Sequence, residues 1–239
     1  MQLCRYVPFS RFCEMVFNKE ITLVSPNKWN DKCENYILQL IKSKQGKSEL
    51  KQALLSHNVI AEKCVDELIE FIELICTTTH CLCFSMSVDE EVMWNAYNYA
   101  QQTIMWITSD NKLLSLNPNY ELRLVKYDLD NTKFDVFLNL FGNQNNKPLI
   151  TNSHNLFLHK RSFFAYENEC RLIDTSMDNK GYDIQTKTIP CIRDFIEGVM
   201  VHPLANREFV KMVKNMCDHF ELRFLGKSHI YDFQNFFEV

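Results

Sequence analysis

The sequence predicts an α+β fold. Short apolar runs typical of strands cluster in the second half of the chain, and segments with helical spacing stand singly between them. A parallel α/β sheet would instead need strands and helices in regular alternation. Hydrophobic residues make up 46% and charged residues 23% of the 239 residues, the balance of a globular protein with its own core. We therefore expect one domain over residues 1–239, with a helical insertion at about 36–77.

The first half is predicted to be mainly helical. Phe12, Met15 and Val16 recur at helical spacing and would form the inner face of the first helix, with Ser10 as its cap. A polar stretch that contains Gly46 is expected to be a loop. In chain order, the predicted elements of this half are a helix at 9–18, a strand at 21–24, a helix at 36–41, a loop at 42–48 and a helix at 62–76.

The clearest local signal in the second half is Ser87, followed three residues later by Glu90. This is the pattern of a helix capping box, so a helix is predicted over 88–101, with Met93 and Tyr97 on its inner stripe. The other elements expected here are strands at 81–85, 103–108, 121–127, 163–174, 182–189, 198–202, 221–225 and 229–233, and a helix at 204–220.

Charge and glycine content argue against three functional classes. The chain has 26 Lys and Arg against 30 Asp and Glu, a net charge of −4, whereas dedicated polyanion-binding proteins usually carry a basic excess. The five glycines leave little material for glycine-rich phosphate loops, and neither GxGxxG nor GxxxxGK[ST] occurs. Rossmann dinucleotide-binding proteins and P-loop NTPases therefore also lose their main support.

The ten cysteines lack the spacing of a metal site. The sequence has no CxxC, and its seven histidines supply no HxxxH pair, so we expect no structural zinc and no other metal. The first residues lack the basic region and apolar run of a signal peptide, and no stretch of 18 apolar residues occurs. We therefore expect a cytoplasmic protein with reduced thiols and no membrane contact.

The most informative polar pattern lies in the predicted strand at 163–174. Side chains alternate between the faces of a strand, so Glu167, Glu169 and Arg171 would share one face. Two carboxylates beside a guanidinium could orient a substrate hydroxyl or stabilise a developing positive charge. The same pattern also fits a solvated strand face with a cross-strand ion pair.

An ordered set of short motifs resembles a bacterial family of the ADP-ribosyltransferase-like clan. In family order, the matching pieces are Arg5-Tyr6, Pro26-x-x-Trp29-Asn30-Asp31, Cys83-Phe84-Ser85, Met93-Trp94-x-x-Tyr97, and Phe164 followed by Glu167-x-Glu169-x-Arg171. The chain departs from the family pattern at three places. Lys32-Cys33 follows Asp31 in place of Pro-Phe, Phe164 stands in place of Trp, and the strand at 103–109 lacks an initial Gly.

The resemblance implies two small sheets that face each other across a cleft for NAD. It implies that Arg5 grips a phosphate or ribose, that Ser85 orients a neighbour or a ribose hydroxyl, and that Glu169 stabilises an oxocarbenium-like transition state. Glu167 would position or deprotonate the acceptor. The further NAD-binding residues implied are Tyr6, Trp94, Tyr97 and Arg171. The expected activity is ADP-ribosyl transfer to an unknown protein or nucleic-acid acceptor, or NAD hydrolysis, in a bacterial or phage conflict system.

Two other functions remain open at this stage. Clustered acids near a basic residue also suit a metal-dependent nuclease, and a protein with this fold could bind a nucleotide or a partner without catalysis. Individual residues also have simpler interpretations. Arg5 could form a surface ion pair, Ser85 could satisfy backbone groups at a strand end, and Trp94 and Tyr97 could be core residues. The basic segment 159–161 is either a solvated turn or a contact for phosphate or nucleic acid.

Overall fold

The computed structural model describes residues 1–31, 33–34, 36–56, 64–129, 154–176 and 181–232. These residues form a mixed α+β fold around a nine-stranded mixed sheet. Its elements, in chain order, are β1 (Gln2–Pro8), α1 (Phe9–Asn18), β2 (Glu20–Val24), α2 (Tyr36–Ile41), α3 (Lys44–Ser56), α4 (Val65–Thr78), β3 (His80–Ser85), α5 (Glu91–Ala96), β4 (Thr103–Ser109), α6 (Asp110–Leu114), β5 (Tyr120–Leu124), β6 (Glu169–Asp174), β7 (Ile184–Thr188), α7 (Ile192–Phe195), β8 (Gly198–Val201), α8 (Arg207–His219) and β9 (Phe224–Lys227).

The sheet divides into two parts that meet at one point. The strand order is β5-β6-β3-β1-β4-β8-β9, with β2 paired to β3 and β7; among the described strands, only β8 and β9 pair in parallel. β1 pairs with β4 over seven residues, but it meets β3 through the single pair Cys4↔Ser85. Beyond that pair, β1 and β3 diverge and leave a space between them.

The central strands are buried almost throughout, and alternate side chains enter a core on each face of the sheet. The larger core includes Leu3, Phe84 and Trp106, and the amphipathic helix α8 covers part of it with Phe209 and Val213. The opposite face carries a smaller cluster, whose fully buried members are Cys4, Tyr6, Met93, Trp94, Met105 and Ile107. No described helix is long and apolar enough to span a bilayer.

The expected helical insertion is present as α2, α3 and α4, which share a separate apolar cluster with Leu156 and Phe157. The loop predicted at 42–48 is wrong, because α3 begins at Lys44. Ser43 accepts a hydrogen bond from the Gly46 amide at 2.9 Å, as a helix cap does. A Cβ on Gly46 would lie 2.2 Å from the Leu40 carbonyl oxygen, so close packing of α2 on α3 explains this glycine.

Most other boundaries agree with the prediction to within about three residues, but both predicted caps are wrong. α1 begins after Pro8, which places Ser10 inside the helix. α5 begins after Glu90 and ends at Ala96 rather than at 101, followed by left-handed residues at Ala100 and Gln101. The predicted strand at 229–233 is wrong over its described part, 229–232, and its last residue lies outside the described residues.

The most consequential difference concerns the acidic segment at 163–174. Its first part is a 3₁₀ helix, Ser162–Glu167, and β6 starts only at Glu169. Asn168, between them, has a left-handed backbone with φ of 41°. Glu167 and Glu169 therefore do not share one face of a strand, and the predicted strand at 163–174 is wrong before Glu169.

Candidate active site

A cleft of about 720 Å³ opens beside the point where β1 and β3 diverge. Its size lies in the range of small-molecule binding sites. Arg5 lies on β1, Ser85 ends β3 and Glu169 begins β6, and all three line the cleft together with Glu167. The expectation that strands distant in sequence bring Arg5, Ser85 and Glu169 to one cleft is confirmed.

The carboxylates of Glu167 and Glu169 converge because the backbone between them is left-handed. Glu167 is the last residue of the 3₁₀ helix, and Asn168 after it adopts the left-handed conformation that asparagine tolerates better than most residues. Asn168 also donates a side-chain hydrogen bond to the Ser87 hydroxyl at 3.0 Å. Glu167 and Glu169 consequently both reach the ammonium of Lys160.

The Glu169 carboxylate is held by two cations. Its Oε1 accepts from Arg171 Nε at 2.7 Å, and its Oε2 accepts from Arg171 Nη2 and from Lys160 Nζ, each at 3.1 Å. The β3–β6 register explains this geometry, because it pairs Ser85 with Glu169 and Cys83 with Arg171 on one face.

Arg171 is fully buried, so it has no surface left for a ligand. Besides Glu169, its guanidinium donates to Glu34 at 2.6 Å and to the Phe157 carbonyl, and it lies over the Trp29 ring at 4.3 Å. This corrects the expectation that Arg171 binds NAD. Arg171 instead ties the helical insertion to the start of β6 and holds Glu169 in place.

Lys160 is the site residue that the sequence did not reveal. Its ammonium lies 2.5 Å from Glu167, 3.1 Å from Glu169 and 3.2 Å from Glu34, and the side chain is buried. The segment 159–161 looked like a solvated or phosphate-binding turn. Each of its side chains instead faces a carboxylate, since His159 contacts Asp128 at 2.6 Å and Arg161 contacts Asp31 at 2.7 Å.

The two carboxylates have different electrostatic environments. Burial favours a raised pKa at both, but at Glu169 the charges of Arg171 and Lys160 outweigh burial and lower the pKa to about 2. At Glu167 burial prevails over Lys160, and the pKa is raised. Glu169 therefore remains ionised, whereas Glu167 is closer to taking up a proton. A pair whose pKa values diverge in this way is typical of acid–base sites.

Arg5 and Ser85 differ in how their polar groups are used. The Arg5 guanidinium is half-buried in the cleft and makes no hydrogen bond or ion pair with any residue that the structure describes, and burial lowers its pKa. The Ser85 hydroxyl accepts from the Ser87 amide at 3.0 Å and donates to the Ser87 carbonyl at 3.2 Å. Arg5 is thus open to a ligand, while Ser85 closes a turn at the cleft wall.

The aromatic candidates differ in whether their side chains reach the cleft. Tyr97 lines the cleft and stacks on Tyr6 with ring centroids 6.4 Å apart, while the Tyr6 hydroxyl accepts from the Glu90 amide at 3.2 Å. Trp94 is fully buried, packs edge-on against Tyr6 and donates to Asp89 at 2.7 Å. Trp94 is therefore a core residue and not an NAD contact, which corrects the expectation from its motif.

Comparison of the chain with protein-family models, with curated proteins and with solved structures finds no match. Over the described ranges, no group of three or more His, Cys, Asp or Glu side chains is arranged to hold a metal ion. All ten cysteines are free thiols.

Proposed function

We propose that the cleft binds NAD and that the protein cleaves its nicotinamide–ribose bond, passing ADP-ribose to an acceptor or to water. The proposal rests above all on Arg5, an arginine in a deep cleft without a carboxylate partner among the described residues. A half-buried guanidinium loses solvation and gains nothing in return unless an anion binds it. The diphosphate of a dinucleotide would supply that anion, and a planar guanidinium can bind it through two hydrogen bonds.

The carboxylates supply the second support. Cleavage of the glycosidic bond develops positive charge on the ribose, and a carboxylate held in a fixed position beside it stabilises such charge. Glu167 and Glu169 line the same cleft as Arg5, so phosphate and ribose could be held at once. The ordered motifs add the resemblance of the sequence to the ADP-ribosyltransferase-like clan.

A metal-dependent nuclease has weaker support. The oxygens that a metal ion would need on Glu169 already face the cationic groups of Arg171 and Lys160. A binding protein without catalysis remains the principal rival, because Arg5 would hold a nucleotide equally well in that case.

The deciding experiment uses NAD labelled in the nicotinamide ring. Purified protein is incubated with NAD, and released nicotinamide is separated from intact NAD by chromatography; calorimetry measures NAD binding in parallel. We expect binding together with nicotinamide release. Binding without release would favour the binding protein, and the absence of both would refute the proposal.

A further inference from the structure

We propose that Glu167, and not Glu169, is the carboxylate that contacts the substrate ribose, while Glu169 and Lys160 are positioning residues. This assignment rests on the proposed function and deepens it. It reverses the roles that the motif resemblance implies. The observations behind it are the hydrogen-bond capacity of each carboxylate and the charge balance of the cluster formed by Glu34, Lys160, Glu167, Glu169 and Arg171.

Glu169 has little acceptor capacity left for a ligand. A carboxylate offers about four lone-pair positions. In Glu169, three of these accept from Arg171 Nε, Arg171 Nη2 and Lys160 Nζ. A ribose hydroxyl that displaced one of these donors would leave a buried cation unsatisfied.

Glu167 has the capacity that Glu169 lacks. Its Oε2 accepts from Lys160 at 2.5 Å, whereas its Oε1 makes no hydrogen bond or ion pair with any described residue. The side chain is only 9% exposed and lines the cleft. Its second oxygen is therefore open to the cleft, where a hydrogen-bond donor from a ligand can reach it.

The charge balance leads to the same residue. Three carboxylates, Glu34, Glu167 and Glu169, face two cations, so one negative charge is not neutralised inside the cluster. Glu34 and Glu169 each contact both Lys160 and Arg171, whereas Glu167 contacts Lys160 alone. The uncompensated charge therefore lies at Glu167, where it can stabilise a positive charge on the substrate.

The chemical step balances with Glu167 in this role. The bond from ribose C1′ to the nicotinamide nitrogen breaks, and its electron pair leaves with neutral nicotinamide. The oxygen of a water or of an acceptor hydroxyl forms the new bond to C1′. The proton of that oxygen passes to Glu167, whose pKa burial already raises. The titratable groups that surround Glu167 are Lys160, Glu169, Glu34, Tyr97, Tyr127 and Tyr166.

The test compares nicotinamide release in water, with no other acceptor, by the wild type and the variants E167Q, E169Q and E73Q. Glu73 is a half-exposed partner of Lys47 in the helical insertion, so E73Q controls for the loss of a carboxylate elsewhere. We expect E167Q to lower kcat by about two to three orders of magnitude, with KM changed only a few-fold. E73Q should match the wild type.

E169Q should lower kcat far less than E167Q does, because Glu169 acts on the substrate only through its neighbours, and it should also change the pH profile. In E169Q, Lys160 has one carboxylate fewer to neutralise, and one negative charge near Glu167 is gone. The pKa of Glu167 therefore falls, and the acidic limb of the pH–rate profile moves to lower pH. If E169Q does not fold, the rate of nicotinamide release by E167Q alone tests the assignment. Release by E167Q at the wild-type rate overturns the assignment while leaving the proposed function intact. A wild type that releases no nicotinamide overturns the proposed function, and this assignment with it.

Discussion

Replacing Lys160 with Met removes the cation that three buried carboxylates share. Methionine has a similar length and keeps the apolar stem in place, so the change isolates the ammonium. In the variant, Glu34 and Glu169 keep their contacts with Arg171, whereas Glu167 loses its one cationic partner among the described residues. Breaking a buried ion pair at one partner costs about 3–5 kcal/mol, because the other charge remains buried. At this chain length, that corresponds to a fall in Tm of roughly 6–20 °C.

The loss should depend on pH in a definite direction. Without the ammonium, burial raises the pKa of Glu167 further, and protonation of that carboxylate relieves the repulsion. The destabilisation should therefore be largest near neutral pH and shrink as the pH falls below the raised pKa of Glu167. Urea unfolding of wild type and Lys160→Met at pH 7 and pH 5 measures the difference.

Lys47→Met is the matched control, since Lys47 pairs with Glu73 on an exposed surface at 2.7 Å. An exposed pair contributes about 0–1 kcal/mol, so this control should stay near the wild type at both pH values. A Lys160→Met protein as stable as the control would refute the account of the cluster. So would a loss of equal size at both pH values, because that would point to packing rather than charge.

Three further substitutions have separate outcomes. Arg5→Gln should weaken NAD binding by at least tenfold in calorimetry without lowering Tm, because the Arg5 guanidinium has no partner to lose in the described part of the chain. Asn168→Ala should cost about 1–2 kcal/mol in urea unfolding, because alanine tolerates a φ of 41° poorly; Asn168→Gly should cost less. Gly46→Ala should lower stability by about 1–3 kcal/mol through its clash with Leu40, whereas the exposed neighbour Gln45→Ala should change it little.

Hydrophobic periodicity predicted most of this fold because it reports burial directly. The predicted bounds of the helices at 9–18 and 36–41 match the structure to the residue. The predicted bounds of β3 and β4, which flank β1, match to within one or two residues. The predicted secondary structure was wrong where one residue type is common in two kinds of local structure. Gly46 resembled a loop residue, but its missing side chain allows two helices to touch. Ser87 resembled a cap, but its hydroxyl accepts from Asn168 across the cleft wall.

The sequence predicted which residues lie close together in the site, but it did not predict the network of ion pairs among them. Arg5, Ser85 and Glu169 could be matched to motifs, and the strand order then brought them together. Lys160 could not be found this way, because its partners lie at 34, 167 and 169, and no local pattern relates them. The left-handed turn at Asn168 was equally hidden, since an alternating strand accounted for the same letters.

The cations in and behind the cleft have two opposite environments, and the contrast bears on function. Lys160 and Arg171 are buried with more negative charge around them than they need, as a folded state requires for stability. Arg5 lies in the same cleft with no such partner among the residues described. Stability alone would favour a smaller uncharged side chain at that position. An anionic ligand would compensate the cost of keeping Arg5 there, and under the proposed function the surplus negative charge at Glu167 would act on the ribose as it becomes positive.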